Sequence, residues 1–284
     1  MAKVIAVTVC RNEEETIRRC VNSVKNQSVP LFYVVVDDNS TDRTPEILKE
    51  CNVPFIRLGN LKTSLTGFRL PFGIIKGVKY AEKYCKDWDY LLKVDADVII
   101  PPNYVEYIVR QMEKSPQIGI ASGIPMVRER HGYVLMGMDK DHADDGARVY
   151  RRECWNSLEV YGTIGYDSHL LFSARQKGWK TTHFNITFRE ERPWGKRTLS
   201  WWIGRGTARF VLGYPLHYQA LFAASKIFQK PVLFGSLSMF LAYLLRHLTP
   251  GYRVFTDEYY SYVKEYLTEM MLRKIHKYKK IFGA

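Results

Sequence analysis

Apolar residues fall in short unbroken runs along the first half of the chain, with helical periodicity in the gaps between them. Val4 to Val9 is the first run, and Leu31–Val36, Pro54–Leu58, Tyr90–Val94 and Ile118–Ser122 follow. The intervening pattern predicts helices over Glu13 to about Asn26, from Thr44-Pro45-Glu46 onward, over Phe72–Cys85, and from Pro101-Pro102-Asn103 to about Lys114. Asn12 and Thr44 read as N-caps, and Pro45 takes the first helical position, where its missing N–H is no loss. Apolar strands alternating with helices imply an α/β fold whose mostly parallel sheet is covered on both faces. Such sheets bind ligands at the carboxyl ends of their strands.

The pattern then changes. Met126 to Asn156 reads as loop, rich in charge and glycine, and a helix is expected from Asp167 to Lys177, closed by Gly178. Beyond Arg192, Trp201, Trp202, Phe210, Tyr214, Tyr218, Phe222 and Phe228 are interleaved with Lys and Arg. Val232 to Leu245 is strongly apolar but spans 14 residues, short of the roughly 20 that cross a bilayer. It reads as an interfacial, re-entrant or core helix. Its aromatic and basic neighbours fit helices lying in a membrane interface, and a helical packing or dimerisation subdomain is the alternative. The division expected is 1–195 for an α/β domain and 196–284 for a basic, aromatic helical region.

Charge follows the same boundary. Of the net +13, residues 192–284 hold +11, from 15 Lys and Arg against 4 Asp and Glu. A near-neutral body with a basic tail points to phosphates on an anionic membrane or on nucleic acid. The apolar 14-residue stretch suits a nucleic-acid groove poorly, so no nucleic-acid partner is expected. Hydrophobic residues at 46% and charged residues at 25% exclude disorder and low complexity. The five cysteines form no C-x-x-C pair and no His/Cys cluster, which argues against a disulfide framework or a zinc site. Met1 to Lys3 runs directly into the first strand without a signal-peptide pattern. The expected location is the cytoplasmic face of the cell membrane, peripheral or monotopic, and the sequence is compatible with a homo-oligomer.

Three acidic clusters carry chemistry. Asp95-Ala96-Asp97 follows the strand Tyr90–Val94, where two carboxylates can hold a hard divalent cation, and that cation a diphosphate. Val34-Val35-Val36-Asp37-Asp38-Asn39-Ser40-Thr41-Asp42-Arg43-Thr44 ends a strand in two aspartates that can accept from a ribose hydroxyl or a base N–H. Asx turns and capping account for part of that segment. Together with Val7-Thr8-Val9-Cys10-Arg11-Asn12-Glu13-Glu14-Glu15, these segments resemble the family-2 glycosyltransferases over about residues 3–195.

The resemblance implies a GT-A fold, Rossmann-like, with a C-terminal membrane-associated helical region. It also implies an inverting transfer of a sugar, a hexose by expectation, from a UDP- or GDP-sugar, assisted by Mn²⁺ or Mg²⁺. By position, Thr8, Arg11 and Glu13 would meet the nucleotide and Asp38 its base or ribose. Arg69 would face the diphosphate. Asp95 would sit near ribose and metal, and Asp97 would bind the metal. Ile164-Gly165-Tyr166-Asp167-Ser168-His169-Leu170 resembles the segment that supplies the catalytic base, here Asp167, with Tyr166 in place of the common glutamate. Phe188-Arg189-Glu190-Glu191-Arg192-Pro193-Trp194-Gly195 resembles a segment whose histidine ligates metal or diphosphate. Glu190 stands there instead, and a carboxylate suits Mg²⁺ or Mn²⁺ at least as well. His183 reads as structural. Gly204-Arg205-Gly206 through Gly213-Tyr214-Pro215-Leu216 resembles members acting on lipid-linked acceptors, so the acceptor expected is lipid-linked or a membrane-associated glycan.

Other readings compete. A polyprenyl-phosphate acceptor is already ionised and would leave Asp167 to position it. A nucleotidyltransferase would begin with a glycine-rich phosphate loop, and Val7 to Glu15 holds no glycine. A non-catalytic membrane-associated scaffold would not need the acidic constellation.

Overall fold

A computed structural model of the chain describes residues 2–59, 66–192, 198–249 and 253–282, the side chains of 66–68, 274–275 and 277–282 excepted. Pro193-Trp194-Gly195, the end of one motif, lies outside the described residues, as do most side chains of the terminal basic run. The chain forms two compact units, Met1–Trp194 and Gly195–Ala284.

The first unit is built on one nine-stranded sheet. Its strands are β1 (Val4–Cys10), β2 (Leu31–Asp37), β3 (Phe55–Arg57), β4 (Tyr90–Val94), β5 (Val98–Ile99), β6 (Ile118–Glu129), β7 (Gly132–Leu135), β8 (Ala147–Arg151) and β9 (Lys180–Glu190). They lie in the order β3-β2-β1-β4-β8-β6-β9-β5, with β7 paired to β6. The half from β3 to β4 is wholly parallel. In the other half β8 runs antiparallel between β4 and β6, β9 runs parallel to β6, and β5 and β7 run against their neighbours. The sheet is therefore mixed, with β5, β7 and β8 opposed to the other strands.

Met126 to Asn156 is not loop throughout, as the pattern predicted. It holds the end of β6, β7 and the central strand β8. The physical reason is Arg148, which breaks the apolar run of β8 yet lies fully buried because Asp145 and carbonyl oxygens receive its guanidinium.

Strand alternation divides the core in two. Val4, Ala6, Val35 and Leu92 face α1 (Ile17–Lys25), α2 (Thr44–Glu50) and α4 (Tyr104–Glu113). Ile5, Val7, Val36 and Leu91 face α3 (Thr66–Ala81), α5 (Arg152–Ser157) and α6 (Tyr166–Gln176). Both faces are covered, as continuous apolar strands require.

Two caps differ from expectation. α1 begins at Ile17, because Asn12 adopts a left-handed φ of 54° and its side chain accepts from the Thr41 N–H at 2.8 Å. Thr44 is already helical, and its own N–H is capped by Asp42 Oδ1 at 3.0 Å.

The second unit holds α7 (Leu199–Val211), α8 (Leu216–Ser225), α9 (Phe234–His247) and α10 (Asp257–Phe282). α7 and α9 approach closely at Gly206, where a Cβ would stand 2.1 Å from the Met239 carbonyl oxygen. Met239, Ala242 and Tyr243 face inward, while Leu237, Leu241 and Leu245 form an exposed stripe at helical spacing. Among the described residues, no helix is long and apolar enough to cross a membrane.

Candidate active site

The loops after β1 and β2 are fastened to each other at the carboxyl end of the parallel strands. The Asn12 N–H donates to Ser40 Oγ at 2.9 Å, Glu13 N–H to Thr44 Oγ1 at 2.8 Å, and Glu14 N–H to Asp42 Oδ2 at 3.1 Å. Much of the Asn39–Thr44 segment is thus committed to holding the first loop in place.

Within that frame, Asp38 and Arg69 form a buried pair. Arg69 Nε donates to Asp38 Oδ1 at 3.0 Å and Oδ2 at 2.8 Å, and Arg69 Nη2 also reaches Oδ1. Two predicted residues therefore come together, with Arg69 engaged by the Asp38 carboxylate. Asp37 is fully buried and accepts from Arg57 Nε at 2.8 Å and the Ser40 N–H at 3.0 Å.

Glu13 and Asp97 are brought together by a residue the sequence reading did not single out. Arg192 donates to Glu13 Oε2 and lies 3.7 Å from Asp97 Oδ2. Thr8, by contrast, has no exposed surface. Its hydroxyl accepts from Tyr33 Oη at 3.0 Å, because residue 8 alternates onto the α1 side of the sheet. Arg11 is exposed at the end of β1.

Asp95 belongs to a buried polar network centred on Lys93. Lys93 is 2% exposed; its Nζ stands 2.6 Å from Asp95 Oδ1 and 2.7 Å from Asp145 Oδ2. Asp145 also accepts from the Tyr166 hydroxyl and lies 3.2 Å from Arg148. Burial pushes Asp95 up to about 7, with the Asp145 and Asp97 carboxylates adding to it and the Lys93 ammonium pulling the other way. Asp145 is buried too, but Lys93 and Arg148 outweigh that and hold it well below the usual carboxylate range. Burial, reinforced by Asp145, keeps the Tyr166 phenol protonated far above its ordinary value. A lysine interrupting the apolar run Tyr90–Val94 was the available signal, since buried lysines are almost always paired.

Asp167 stands in the first turn of α6, after Gly165 at φ 78°, a backbone conformation that favours glycine. Its carbonyl accepts from Arg148 Nη1 at 3.0 Å. Burial and then Asp145 raise its carboxyl above the ordinary value, against Arg148 and the Ser168 N–H.

Glu190 pairs in register with Val98 of β5, and its Oε1 would stand 3.3 Å from a Cβ on Gly146. The Gly146 carbonyl in turn accepts from the Asp95 N–H at 2.9 Å. Glu190 thus approaches the loop that bears Asp95 and Asp97. His183 Nδ1 bonds the His142 carbonyl at 3.1 Å.

Asp95 and Asp97 supply the hard oxygen donors that Mg²⁺ or Mn²⁺ takes, so the residues fit such a metal in kind. Among the described residues, no three His, Cys, Asp or Glu side chains converge as a ligand group.

Residues 5–162 match the model of the glycosyl transferase family 2. The chain belongs to that family. The matched region includes Glu13, Asp38, Arg69, Asp95 and Asp97 and ends before Asp167 and Glu190. Among curated relatives, poly-β-1,6-N-acetyl-D-glucosamine synthase of Staphylococcus epidermidis is 25% identical over 126 residues, 43% of this chain and 28% of that protein. The low-salt glycan biosynthesis hexosyltransferase Agl6 of Haloferax volcanii is 27% identical over 203 residues, 62% of this chain and 45% of that one. The matches thus span less than half of either relative. Among solved structures, the mannosyltransferase PcManGT of Pyrobaculum calidifontis, in complex with GDP-Man and Mn²⁺, aligns with a TM-score of 0.57 at 14% identity, over 96% of this chain and 86% of that one. That likeness establishes a shared GT-A-like fold.

Proposed function

We propose that the chain is a metal-dependent inverting glycosyltransferase. It would move a sugar from a nucleotide-diphosphate donor to a lipid-linked or membrane-associated glycan acceptor at the cytoplasmic face of the membrane. One observation carries the reading: Arg192 links Glu13 and Asp97, acidic positions from separate loops, at the sheet edge where α/β folds bind ligands.

Asp97 and Asp95, with Glu190 beside their loop, would hold Mn²⁺ or Mg²⁺, which when bound would offset the charge of the departing diphosphate. Arg192, more than half exposed beside Asp97, can meet a phosphate oxygen directly with its fork of donors. Asp38, oriented by Arg69, would accept from the base or ribose. Asp167 would take the proton from an acceptor hydroxyl as that oxygen attacks the anomeric carbon opposite the leaving group, and a single displacement inverts configuration. Its raised proton affinity makes it a stronger base than an ordinary carboxylate.

The second unit would lie on an anionic membrane surface. Support comes from its exposed apolar residues, among them Trp201, Phe228, Phe234, Leu237, Leu241 and Leu245, set in a strongly basic segment. The test is nucleotide release from UDP-, GDP- and dTDP-sugars with Mn²⁺ and anionic vesicles. Metal-dependent release from one donor, absent in Asp97→Ala, is the expected result. Release unchanged by Asp97→Ala would sink the assignment.

A further inference from the structure

The second unit contains a cavity of about 570 Å³ that plays no part in the mechanism above. Its floor is aromatic, made by Phe210, Tyr243 and Tyr260, and its lining includes His217, His247, Arg253 and Lys264 with a single acid, Asp257. The floor is fixed by hydrogen bonds. Tyr243 Oη donates to the Tyr214 carbonyl at 2.6 Å. Tyr260 Oη donates to the Val211 carbonyl at 3.2 Å and accepts from the Val254 N–H at 3.1 Å. That last bond anchors the segment carrying Arg253, whose guanidinium carbon lies 4.8 Å from the centre of the Tyr260 ring. His247 packs edge-on against Phe210 and Tyr243, with ring centres 4.7 and 5.1 Å apart.

The cavity is bordered by apolar surface. Leu216 lines it and is half exposed. Leu248 follows His247 in sequence and Val254 follows Arg253, and both are exposed. A cationic, aromatic hollow with an exposed leucine in its wall fits an amphiphile whose head is an anion. Arg253 offers a planar fork suited to two phosphate oxygens, and Lys264 a point charge beside it. The volume lies within the range of small-ligand sites, roughly 300–1,000 Å³.

We infer that this cavity binds the phosphate headgroup of a membrane lipid, with the lipid chains leaving past Leu216. The inference extends the membrane reading of the second unit, and its test separates the two.

The full chain is titrated with dihexanoyl phosphatidic acid below its micelle concentration, followed by calorimetry. Wild type binds, and Arg253→Gln/Lys264→Gln weakens binding about tenfold or more, since charge-assisted contacts are lost. Lys230→Gln/Arg273→Gln removes the same charge from outside the cavity and leaves binding unchanged within about twofold. Both cavity positions are exposed, so the fold survives the change, and circular dichroism checks it. Inorganic phosphate at equal concentration should fail to compete. Equal loss in the two double variants overturns the inference as non-specific charge. Equal competition by inorganic phosphate also overturns it, because the site then takes free anion. Flotation with phosphatidic acid vesicles distinguishes the failures. Wild type and cavity variant floating alike would leave membrane binding standing and remove the headgroup site. No flotation by wild type would remove the membrane reading, and with no lipid bound in the titration either, both would fall.

Discussion

Replacing Lys93 with methionine tests the buried network most directly. The substitution keeps length and apolar bulk but deletes the ammonium that stands 2.6 Å from Asp95 and 2.7 Å from Asp145. Removing one partner of a buried pair costs about 3–5 kcal/mol, because the other charge is left without compensation. Arg148 still faces Asp145 at 3.2 Å, and the Asp95 side chain is 35% exposed. Both facts place the loss at the low end, about 3 kcal/mol.

The pH dependence has a definite sign. Although its side chain is partly open to solvent, loss of hydration within the network, with the Asp145 and Asp97 carboxylates, raises Asp95 to about 7 in the folded protein, against about 3.9 unfolded. Its folded form therefore holds the proton more tightly, and that contribution to stability is lost as pH rises through 7. Without Lys93 the folded value moves higher still. The deficit of the variant should then be larger at pH 8 than at pH 6. Hydrogen exchange of β4 and β8 peptides reads this locally, apart from the second unit. Adding Asp145→Asn should recover about 0.5–3 kcal/mol, as coupled neighbours do. A deficit below about 1 kcal/mol, or one larger at pH 6, would refute the reasoning.

Three further outcomes are expected. Asp167→Asn should cut turnover about 10²-fold or more if the acceptor is a hydroxyl, and only mildly if it is a phosphate. In wild type the rate should rise with pH through the elevated Asp167 value, and steady-state profiles should show that limb missing in the asparagine variant. Gly206→Ala should destabilise the second unit by about 3 kcal/mol, the upper end for overpacking, since a backbone carbonyl 2.1 Å away cannot rotate aside; thermal unfolding measures it. Of the five cysteines, Cys10, Cys20, Cys51 and Cys154 are buried, with burial pushing Cys20 and Cys154 up to about 12. A thiol reagent at neutral pH should label Cys85 alone in the folded protein, as counted by intact mass.

The parallel half of the sheet was legible because its strands are buried on both faces and read as unbroken apolar runs. β4 spans Tyr90–Val94, the same residues the pattern marked. β8 was not legible, because a buried arginine interrupts the apolar signal, and Asp145 together with the Ala143 and Asp167 carbonyls explains how Arg148 can lie inside. The candidate site was legible in Arg69 and in most of its acids, and illegible in Asp145 and Arg192. Asp38, Asp95 and Asp97 stand out as carboxylates at strand ends. Arg192, beside Asp97, occurs in a chain with 42 basic residues, where one more cation carries no signal until its partners are known, whereas Lys93 was marked by its place inside an apolar strand. Thr8 shows the reverse failure. It lies inside a motif, yet a period of two turns it toward Tyr33 and away from the surface.

The adjacent glutamates after β9 show how register sorts residues of one type into different roles. Glu191 donates its N–H to the Asp97 carbonyl at 2.9 Å, so the two strands stay paired up to Asp97. The Glu191 carboxylate, 5% exposed, accepts from Arg19 and from Tyr133, each at 2.5 Å. It is consumed by structure. Glu190 alternates to the other face, toward Gly146 and the Asp95 loop. Arg192 follows, reaching back to Glu13 and Asp97. A histidine at position 190 would meet the same surroundings, because the backbone pairing and not the side chain decides which way it points. The exchange of imidazole for carboxylate therefore changes the charge offered to a metal or diphosphate while keeping the direction from which it is offered. Arg192 stands two positions along, where it can balance the added negative charge.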